Sequence, residues 1–324
     1  MKILWTHNFD PKRVGAGSFM YTFTSGMRDF GVEIDLMYLG NLRNPLAIYH
    51  ARKSVRERSL NYDIVHAQFG SACAFATSAA LGPKIVSLRG SDWHRYQGSD
   101  YAEALHGLLA MLFTHSSLAS FDSVITMSSR MTNEVKAAFP NSRVTTIADP
   151  INTSLFRPHD RGQARIKIFN STTDDPWVLF TTLSRSNPIK RIDLAMDAVH
   201  LARQRLPGLE IRVATGIPHA SMPMFVSACD VALCTSVHEG WPNSIKEAIA
   251  CGIPFVSTDV SDLREVASRH PCCHVSVATP EALADHLVQA LEAPRDNSLR
   301  WEAEEMGIDV VCKRLLQTYR SVLE

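Results

Sequence analysis

A chain of 324 residues with 45% hydrophobic and 20% charged residues is long enough for about two water-soluble globular domains. Lys+Arg and Asp+Glu both number 33, so the charge balance gives no sign of nucleic acid or an acidic partner as the main ligand, and none is expected. The seven cysteines are odd in number and lack Cys-x-x-Cys spacing, and no run of 18 apolar residues occurs; disulfide scaffolds, zinc knuckles and spanning helices are excluded, and a cytoplasmic chain with reduced thiols is expected.

Strand and helix patterns alternate from the start. The opening Met1-Lys2-Ile3-Leu4-Trp5 reads as an immediate strand over 3–6, not a signal peptide. A loop over 7–17 leads to a helix over 18–30, closed by Gly31, and a strand over 33–39. A helix follows over 45–60, then a strand over 63–68, an Ala-rich helix and a strand over 84–88. A long helix over 101–119, a strand over 123–127, a short helix and a strand over 143–147 complete a first series. Residues 149–164 hold two prolines and many charges and read as a linker. The second series has strands over 177–183, 209–214, 231–234, 254–258 and 274–277. Its helices cover 191–205, 222–229, a segment starting near Pro242, 262–268 and 280–293. A last amphipathic helix over 301–323 offers Trp301, Val311, Leu315, Leu316 and Tyr319 to a core. Such alternation implies an α/β protein with two doubly wound parallel sheets, whose ligands sit at strand carboxyl ends.

The most informative stretch is VALCTSVHEGWPNSIKEAIACG, residues 231–252. Ile245, Ala248 and Ile249 make an apolar helical stripe behind Pro242, and proline suits a first helical position. The amides of Asn243, Ser244 and Ile245 are then expected to lack helical partners and to form a positive terminus suited to phosphate. Glu247 falls one turn below Asn243, about 6 Å along the axis, and Glu239 precedes the helix. Two carboxylates flanking a diphosphate-sized site suggest a nucleotide-sugar. Taken alone, the stretch is also compatible with an ordinary helix start bearing two surface glutamates.

Other strand ends add candidates. Val14-Gly15-Ala16-Gly17-Ser18 lets backbone approach a ligand, with Gly15 and Gly17 as the close points; Met20 breaks the dinucleotide fingerprint. Ser184-Arg185-Ser186-Asn187-Pro188-Ile189-Lys190 sets two cations in a Pro-containing loop, able to converge on a diphosphate or to form a solvated basic loop. Arg89 and Asp92 end the fourth strand; His66 and Gln68 end the third, where a histidine in an apolar strand is more often structural. No metal motif appears, since His238-Glu239 lacks a second histidine at zincin spacing. The helix over 45–60 carries Arg52, Lys53, Arg56 and Arg58 beside Leu46, Ile48, Tyr49 and Val55, a pattern that fits peripheral contact with an anionic membrane or a plain solvated face.

Glu239-Gly240-Trp241-Pro242-Asn243-Ser244-Ile245-Lys246-Glu247-Ala248, continuing to Gly252-Ile253-Pro254, resembles the Glu-x7-Glu signature of retaining glycosyltransferases of family four. Ser184-Arg185 through Lys190 resembles their Gly-Arg…Lys-Gly loop. Ile147 to Asn152 with Leu155-Phe156-Arg157-Pro158 resembles their interdomain segment, and Asp63 to Ala67 and Leu88 to Asp92 resemble two N-terminal strand ends. The matches keep family order over nearly the whole chain. The resemblance implies a GT-B fold of group 1 glycosyltransferases, two Rossmann-like domains facing a central cleft. It implies an acceptor domain over 1–155 joined by a crossing helix over 306–324, and a donor domain over 156–305. It implies that Glu247 holds the ribose and Glu239 the transferred sugar. Arg185 and Lys190, with the amides of 243–245, would hold the diphosphate, and Gly15 and Gly17 would approach the donor. Arg89, Asp92 and His66 are further donor or acceptor contacts.

Three departures stand out: Arg89 replaces the family's usual histidine, Lys190-Arg191 its Lys-Gly, and Asp149-Pro150 its Asn-Gly. A guanidinium is no base near neutral pH, so Arg89 would bind rather than transfer a proton. The expected reaction moves a sugar from a UDP- or GDP-type donor to a hydroxyl of a glycan or lipid-linked acceptor, with no cofactor and no metal. The rival readings are an epimerase or hydrolase of the same fold, and a non-catalytic nucleotide-sugar-binding subunit.

Overall fold

A computed structural model of the chain describes residues 1–11, 17–94 and 101–324. The chain divides into two units, one of Met1–Pro150, Glu239–Trp241 and Ile308–Glu324, the other of Ile151–His238 and Pro242–Gly307.

The first unit runs β1 (Lys2–His7), α1 (Ser18–Arg28), β2 (Glu33–Tyr38), α2 (Pro45–Ser59), β3 (Ile64–Ala67), α3 (Ser71–Thr77) and β4 (Lys84–Leu88). It continues through α4 (Tyr101–Leu118), β5 (Ser123–Thr126), α5 (Ser129–Ala138) and β6 (Val144–Thr146). Its strands form one sheet in the order β2-β1-β3-β4-β5-β6, and each pairing is parallel. Both faces are covered, so these strands are apolar on consecutive residues instead of alternating. Leu4, Val65, Val86 and Val124 pack against residues of α2, α3 and α5, while Ile3, Trp5, Ile64, Ile85 and Ile125 pack with α1 and the C-terminal helix.

The second unit runs α6 (Arg161–Phe169), β7 (Trp177–Thr181), α7 (Ile192–Arg203), β8 (Glu210–Ala214), a 3-10 turn (His219–Ser221), α8 (Met222–Ser227), β9 (Val231–Cys234) and α9 (Asn243–Ala250). There follow β10 (Phe255–Thr258), α10 (Leu263–Arg269), β11 (His274–Ser276), α11 (Pro280–Glu292) and α12 (Leu299–Glu304), and α13 (Ile308–Leu323) returns to the first unit. The parallel sheet has the order β11-β10-β9-β7-β8.

Three sequence readings change. Residues 149–164 are not all linker: Asp160 caps α6 by accepting from the Gln163 amide at 2.8 Å. One of the charges that suggested a linker is engaged, because Arg161 pairs with Asp230 at 2.8 Å and Asp174 at 3.0 Å; just beyond the expected linker, Arg165 is 1% exposed and donates to Asp230, to the Ala228 carbonyl and to the Thr173 carbonyl. The last helix is two helices, with Trp301 on the first and 69% exposed rather than core. The unit boundary falls after Pro150 rather than after 155, since the Ile151 amide donates to the Met306 carbonyl at 2.9 Å and Ile151 bridges Gly307.

Helix α13 is held in the first unit by Tyr319, which is fully buried. Trp5 Nε1 donates to the Tyr319 hydroxyl at 2.8 Å, and that hydroxyl lies 2.7 Å from His66 Nδ1.

Candidate active site

In each sheet the strand order reverses beside its first strand. Ligands of open parallel sheets bind at the carboxyl ends there, where the flanking connections diverge. In the second sheet the reversal lies between β7 and β9. The loop leaving β7 carries Arg185 and Lys190, and the loop leaving β9 leads through Glu239 into α9. The topology therefore brings the two strongest sequence candidates to one point.

The two loops are bonded to each other. The Val237 amide donates to the Ile189 carbonyl at 2.9 Å. Thr235 Oγ1 donates toward the Lys190 and Arg191 carbonyls at 2.6 and 2.9 Å. Arg191 returns the contact, Nε donating to the Thr235 carbonyl at 2.7 Å and a terminal nitrogen to the Ser236 carbonyl at 3.2 Å. The sequence marks Arg191 only as a departure from the family's glycine and gives it no role. It stands where the family has glycine, and its backbone has φ 47°, ψ 60°, the left-handed conformation glycine adopts without strain. Its side-chain bonds offset that strain and fix the loop before Lys190 can be used. The lost glycine was the available signal.

Helix α9 begins one residue later than the sequence suggested. Pro242 is its N-cap, with φ −67° and ψ 114°, and its carbonyl accepts from both Ile245 and Lys246 at 3.0 and 3.2 Å. The Ile245 amide is thereby satisfied, which removes it from the expected phosphate-binding set. Asn243 and Ser244 keep amides without partners among the described residues, and no side chain caps them. A cap-free helix start at a strand end is the arrangement that accepts an anion. Asn243 is exposed and Ser244 half-buried, so both can be reached.

Arg185 is exposed and has no hydrogen-bond or ion-pair partner among the described residues, so its guanidinium is available to a ligand. Lys190 is half-buried. Glu239 is half-buried in front of Gly240, whose close approach to the Arg89 carbonyl would put a Cβ 2.4 Å from that oxygen. Only glycine fits there. Glu247 is half-buried on α9, and burial pushes its carboxyl up to about 7 against the opposing charge of Lys246. Lys246 itself is 1% exposed, a buried cation that nothing in the sequence spacing had distinguished.

The first-unit candidates are committed to the protein's interior. Arg89 pairs with Asp149, donates to the Gln68 carbonyl at 2.7 Å and to Gln68 Oε1 at 2.9 Å, and stacks on Phe19 at 3.5 Å. Asp92, 1% exposed, accepts from the amides of Gly70, Arg89 and Gly90 at 2.6, 2.8 and 2.9 Å. Burial raises its pKa, and these amides oppose the rise. It shapes the loop after β4 and has no face open to a ligand. His66 is 1% exposed, and Nε2 lies 2.8 Å from Ser87 Oγ. Burial, then the charge of Arg89, hold its pKa well below the usual value. A neutral ring accepting the Tyr319 proton at Nδ1 and donating from Nε2 to Ser87 satisfies every partner, leaving no nitrogen for a ligand. Gly17 is the left-handed N-cap of α1, at φ 70°. Gly15 lies outside the described residues.

Comparison with known proteins identifies the family and the fold. The family model "Glycosyltransferase Family 4" matches residues 14–155 and the model "Glycosyl transferases group 1" matches residues 193–293, together more than half of the chain. A relative named as a teichuronic acid biosynthesis glycosyltransferase, TuaC of Bacillus subtilis, is 22% identical over 256 residues, which span 73% of this chain and 63% of that one. Among solved structures, sucrose-phosphate synthase from Thermosynechococcus elongatus superposes with TM-score 0.79 at 13% identity, covering 99% of both chains. Anabaena Alr3699/HepE, solved in complex with UDP and glucose, gives 0.69 at 15% identity, covering 99% of this chain and 100% of that one. With two parallel doubly wound sheets, a last helix returning to the first, and the motif loops at the second sheet's switch point, the chain belongs to the glycosyltransferases of group 1 and family four and has the GT-B fold.

Proposed function

We propose that the chain transfers a sugar from a nucleotide diphosphate-sugar to a hydroxyl of a glycan or lipid-linked acceptor, with retention at the anomeric carbon. The observation that carries this reading is the bonding of the β7 and β9 loops at the switch point of the second sheet. That bonding sets the loop that carries Arg185 and Lys190 beside the loop that leads to the uncapped start of α9, which supports an anion site there.

The bond from the anomeric carbon to the diphosphate breaks, and charge grows on the leaving oxygen. Arg185, Lys190 and the amides of Asn243 and Ser244 stabilise that charge, so the reaction runs without a metal. The acceptor hydroxyl attacks the face the diphosphate leaves, and its proton goes to the departing phosphate oxygen. No protein base is needed. Glu247 takes the ribose hydroxyls and Glu239 the hydroxyls of the transferred sugar.

The test incubates the full chain with UDP- and GDP-sugars, with and without a panel of glycan and lipid-linked acceptors, in the presence of EDTA. Acceptor-dependent release of nucleoside diphosphate, with the anomeric configuration kept by NMR, is the expected result. Epimerisation or sugar release from donor alone would replace the reading with that of an epimerase or hydrolase. Binding without turnover across the panel would replace it with that of a binding subunit. Near-normal turnover of both Arg185→Ala and Glu239→Ala would overturn the site.

A further inference from the structure

Helix α4, YAEALHGLLAMLFTHSSL, is largely apolar over its middle turns; it contains no lysine, arginine or aspartate, and Glu103 in its first turn is its one acid. Such a helix is ordinarily buried. Here Leu105, Leu109 and Leu112, spaced to lie on one side, are 44%, 44% and 50% exposed. Single exposed leucines need no explanation, whereas a stripe of them marks a surface that something covers.

The neighbouring helices say what. Helices α2 and α4 flank α3 on the same face of the first sheet, and they are linked across it: Arg52 stacks on Phe75 of α3 at 4.5 Å, and Phe75 meets Phe113 of α4 at 4.9 Å. Arg52 is therefore turned inward, also donating to the Phe75 carbonyl and to Ser78. The exposed face of α2 is left with Leu46, Tyr49, Lys53 and Arg56 at helical spacing, and with Arg58 and Leu60 at its end. One carboxylate, Glu57, stands among them and pairs with Lys53 at 3.9 Å. At 100° per residue, Tyr49 and Arg56 lie on the Arg52 side of that face, and Leu109 lies on the Phe113 side of α4. The basic, aromatic-bearing stripe of α2 and the leucine stripe of α4 thus border the same strip of surface above α3.

We infer that this face of the first unit lies on an anionic membrane, with the leucines of α4 in the interface and the cations of α2 against the headgroups. Apolar side chains beside cations, with little opposing charge, are the chemistry of a surface-lying membrane contact. A second protein copy would bring the same cations against themselves. Both helices start at the carboxyl-end edge of the sheet, so the contact would hold the first unit beside a membrane-borne acceptor. That last step rests on the proposed transfer reaction, whereas the contact itself does not. No helix among the described residues is long and apolar enough to cross a membrane, so the contact is peripheral.

Co-sedimentation of the full chain with vesicles tests the contact without any turnover. The chain is expected to bind vesicles of phosphatidylcholine with phosphatidylglycerol and to bind pure phosphatidylcholine more weakly, with added salt removing the difference. Lys53→Gln with Arg56→Gln should lower partitioning to the anionic vesicles about 30-fold, at about fivefold per cation. Leu109→Ser with Leu112→Ser should lower binding to both vesicle types while the thermal midpoint stays unchanged, because both side chains are at the surface. Absence of binding by the parent chain, or unchanged binding by both double variants, overturns the inference. So does a dimer in light scattering that the leucine variant dissociates, which would assign the face to a second copy.

Discussion

Replacing Glu247 by glutamine should make the protein more stable and less able to hold a nucleotide. Burial lifts this carboxyl from 4.5 to about 7, because removal from water disfavours the ionised form. Between those two values the folded chain holds a proton that the unfolded chain has released. The stability this group contributes is therefore full below pH 4.5 and is lost as pH rises through 7. At about 1.36 kcal/mol per pKa unit, the loss at pH 8 is at most about 3 kcal/mol. Glutamine keeps the shape of the protonated acid and cannot ionise. Urea denaturation of parent and Glu247→Gln should thus give equal stabilities near pH 4, diverging by up to about 3 kcal/mol in favour of the variant at pH 8. A nucleoside diphosphate at 100 times its dissociation constant should add about 2.7 kcal/mol to the parent and clearly less to the variant at equal concentration. A variant no more stable than the parent at pH 8 would refute the buried-carboxyl argument. In the proposed reaction this cost would be offset when the ribose hydroxyls of the donor bond the ionised carboxylate.

On the proposed reading, Arg185→Ala should lower kcat/KM by about 30- to 1,000-fold, corresponding to about 2–4 kcal/mol of lost leaving-group stabilisation, with an unchanged melting temperature because Arg185 is exposed and has no hydrogen-bond or ion-pair partner among the described residues. At Arg191, both Gly and Ala lose the bonds to Thr235 and Ser236, but only Ala retains the left-handed strain. Arg191→Ala should therefore be less stable than Arg191→Gly by about 1 kcal/mol in denaturant unfolding. Tyr319→Phe leaves Trp5 Nε1 and His66 Nδ1 without their shared partner, at about 1–3 kcal/mol for each buried polar group, and should lower the unfolding midpoint accordingly.

The alternation of strands and helices was readable because both sheets are parallel and covered on both faces, which leaves short apolar runs between helical periods. Helix α6 was not read, because Arg161, Arg165 and Lys167 give it the look of a solvated segment. Its burial depends on Asp230, 65 residues away from Arg165, and no local pattern shows that. The cue that was present is the Asp160-x-x-Gln163 capping pair. Trp301 was taken for core on residue type alone, yet it lies on the outer side of a short helix. In the candidate site, the loops bearing Arg185 and Glu239 and the helix bearing Glu247 are legible because each follows a strand of an α/β series, and the structure bonds the two loops to each other. The start of α9 was misplaced by one residue because proline serves at either the cap or the first helical position, and only the carbonyl of Pro242 accepting from Ile245 decides between them. His66, Arg89 and Asp92 are candidates by position; His66 is bonded to Tyr319 and Arg89 to Asp149, partners distant in the chain, while Asp92 is taken up by the amides of Gly70, Arg89 and Gly90.

Two of the departures from the family pattern turn out to be one. The sequence shows an arginine at 89 where a histidine is usual, and Asp149-Pro150 where Asn-Gly is usual, about sixty residues apart. In the structure Arg89 pairs with Asp149, side chains 9% and 11% exposed. An arginine introduced alone would leave an uncompensated cation in the interior, and the aspartate alone an uncompensated anion, each costing about 3–5 kcal/mol. Together they form a charge-assisted pair that also holds Gln68 and the face of Phe19. A double-mutant cycle checks this. Arg89→His and Asp149→Asn should each destabilise strongly, and the double variant should recover at least about 2 kcal/mol of their summed cost. Additive losses would mean that the two positions changed independently. Recovery would explain how a family with histidine at this strand end admits a residue that cannot accept a proton, since the arginine then ties the end of β4 to Asp149 after β6 and to Gln68 after β3.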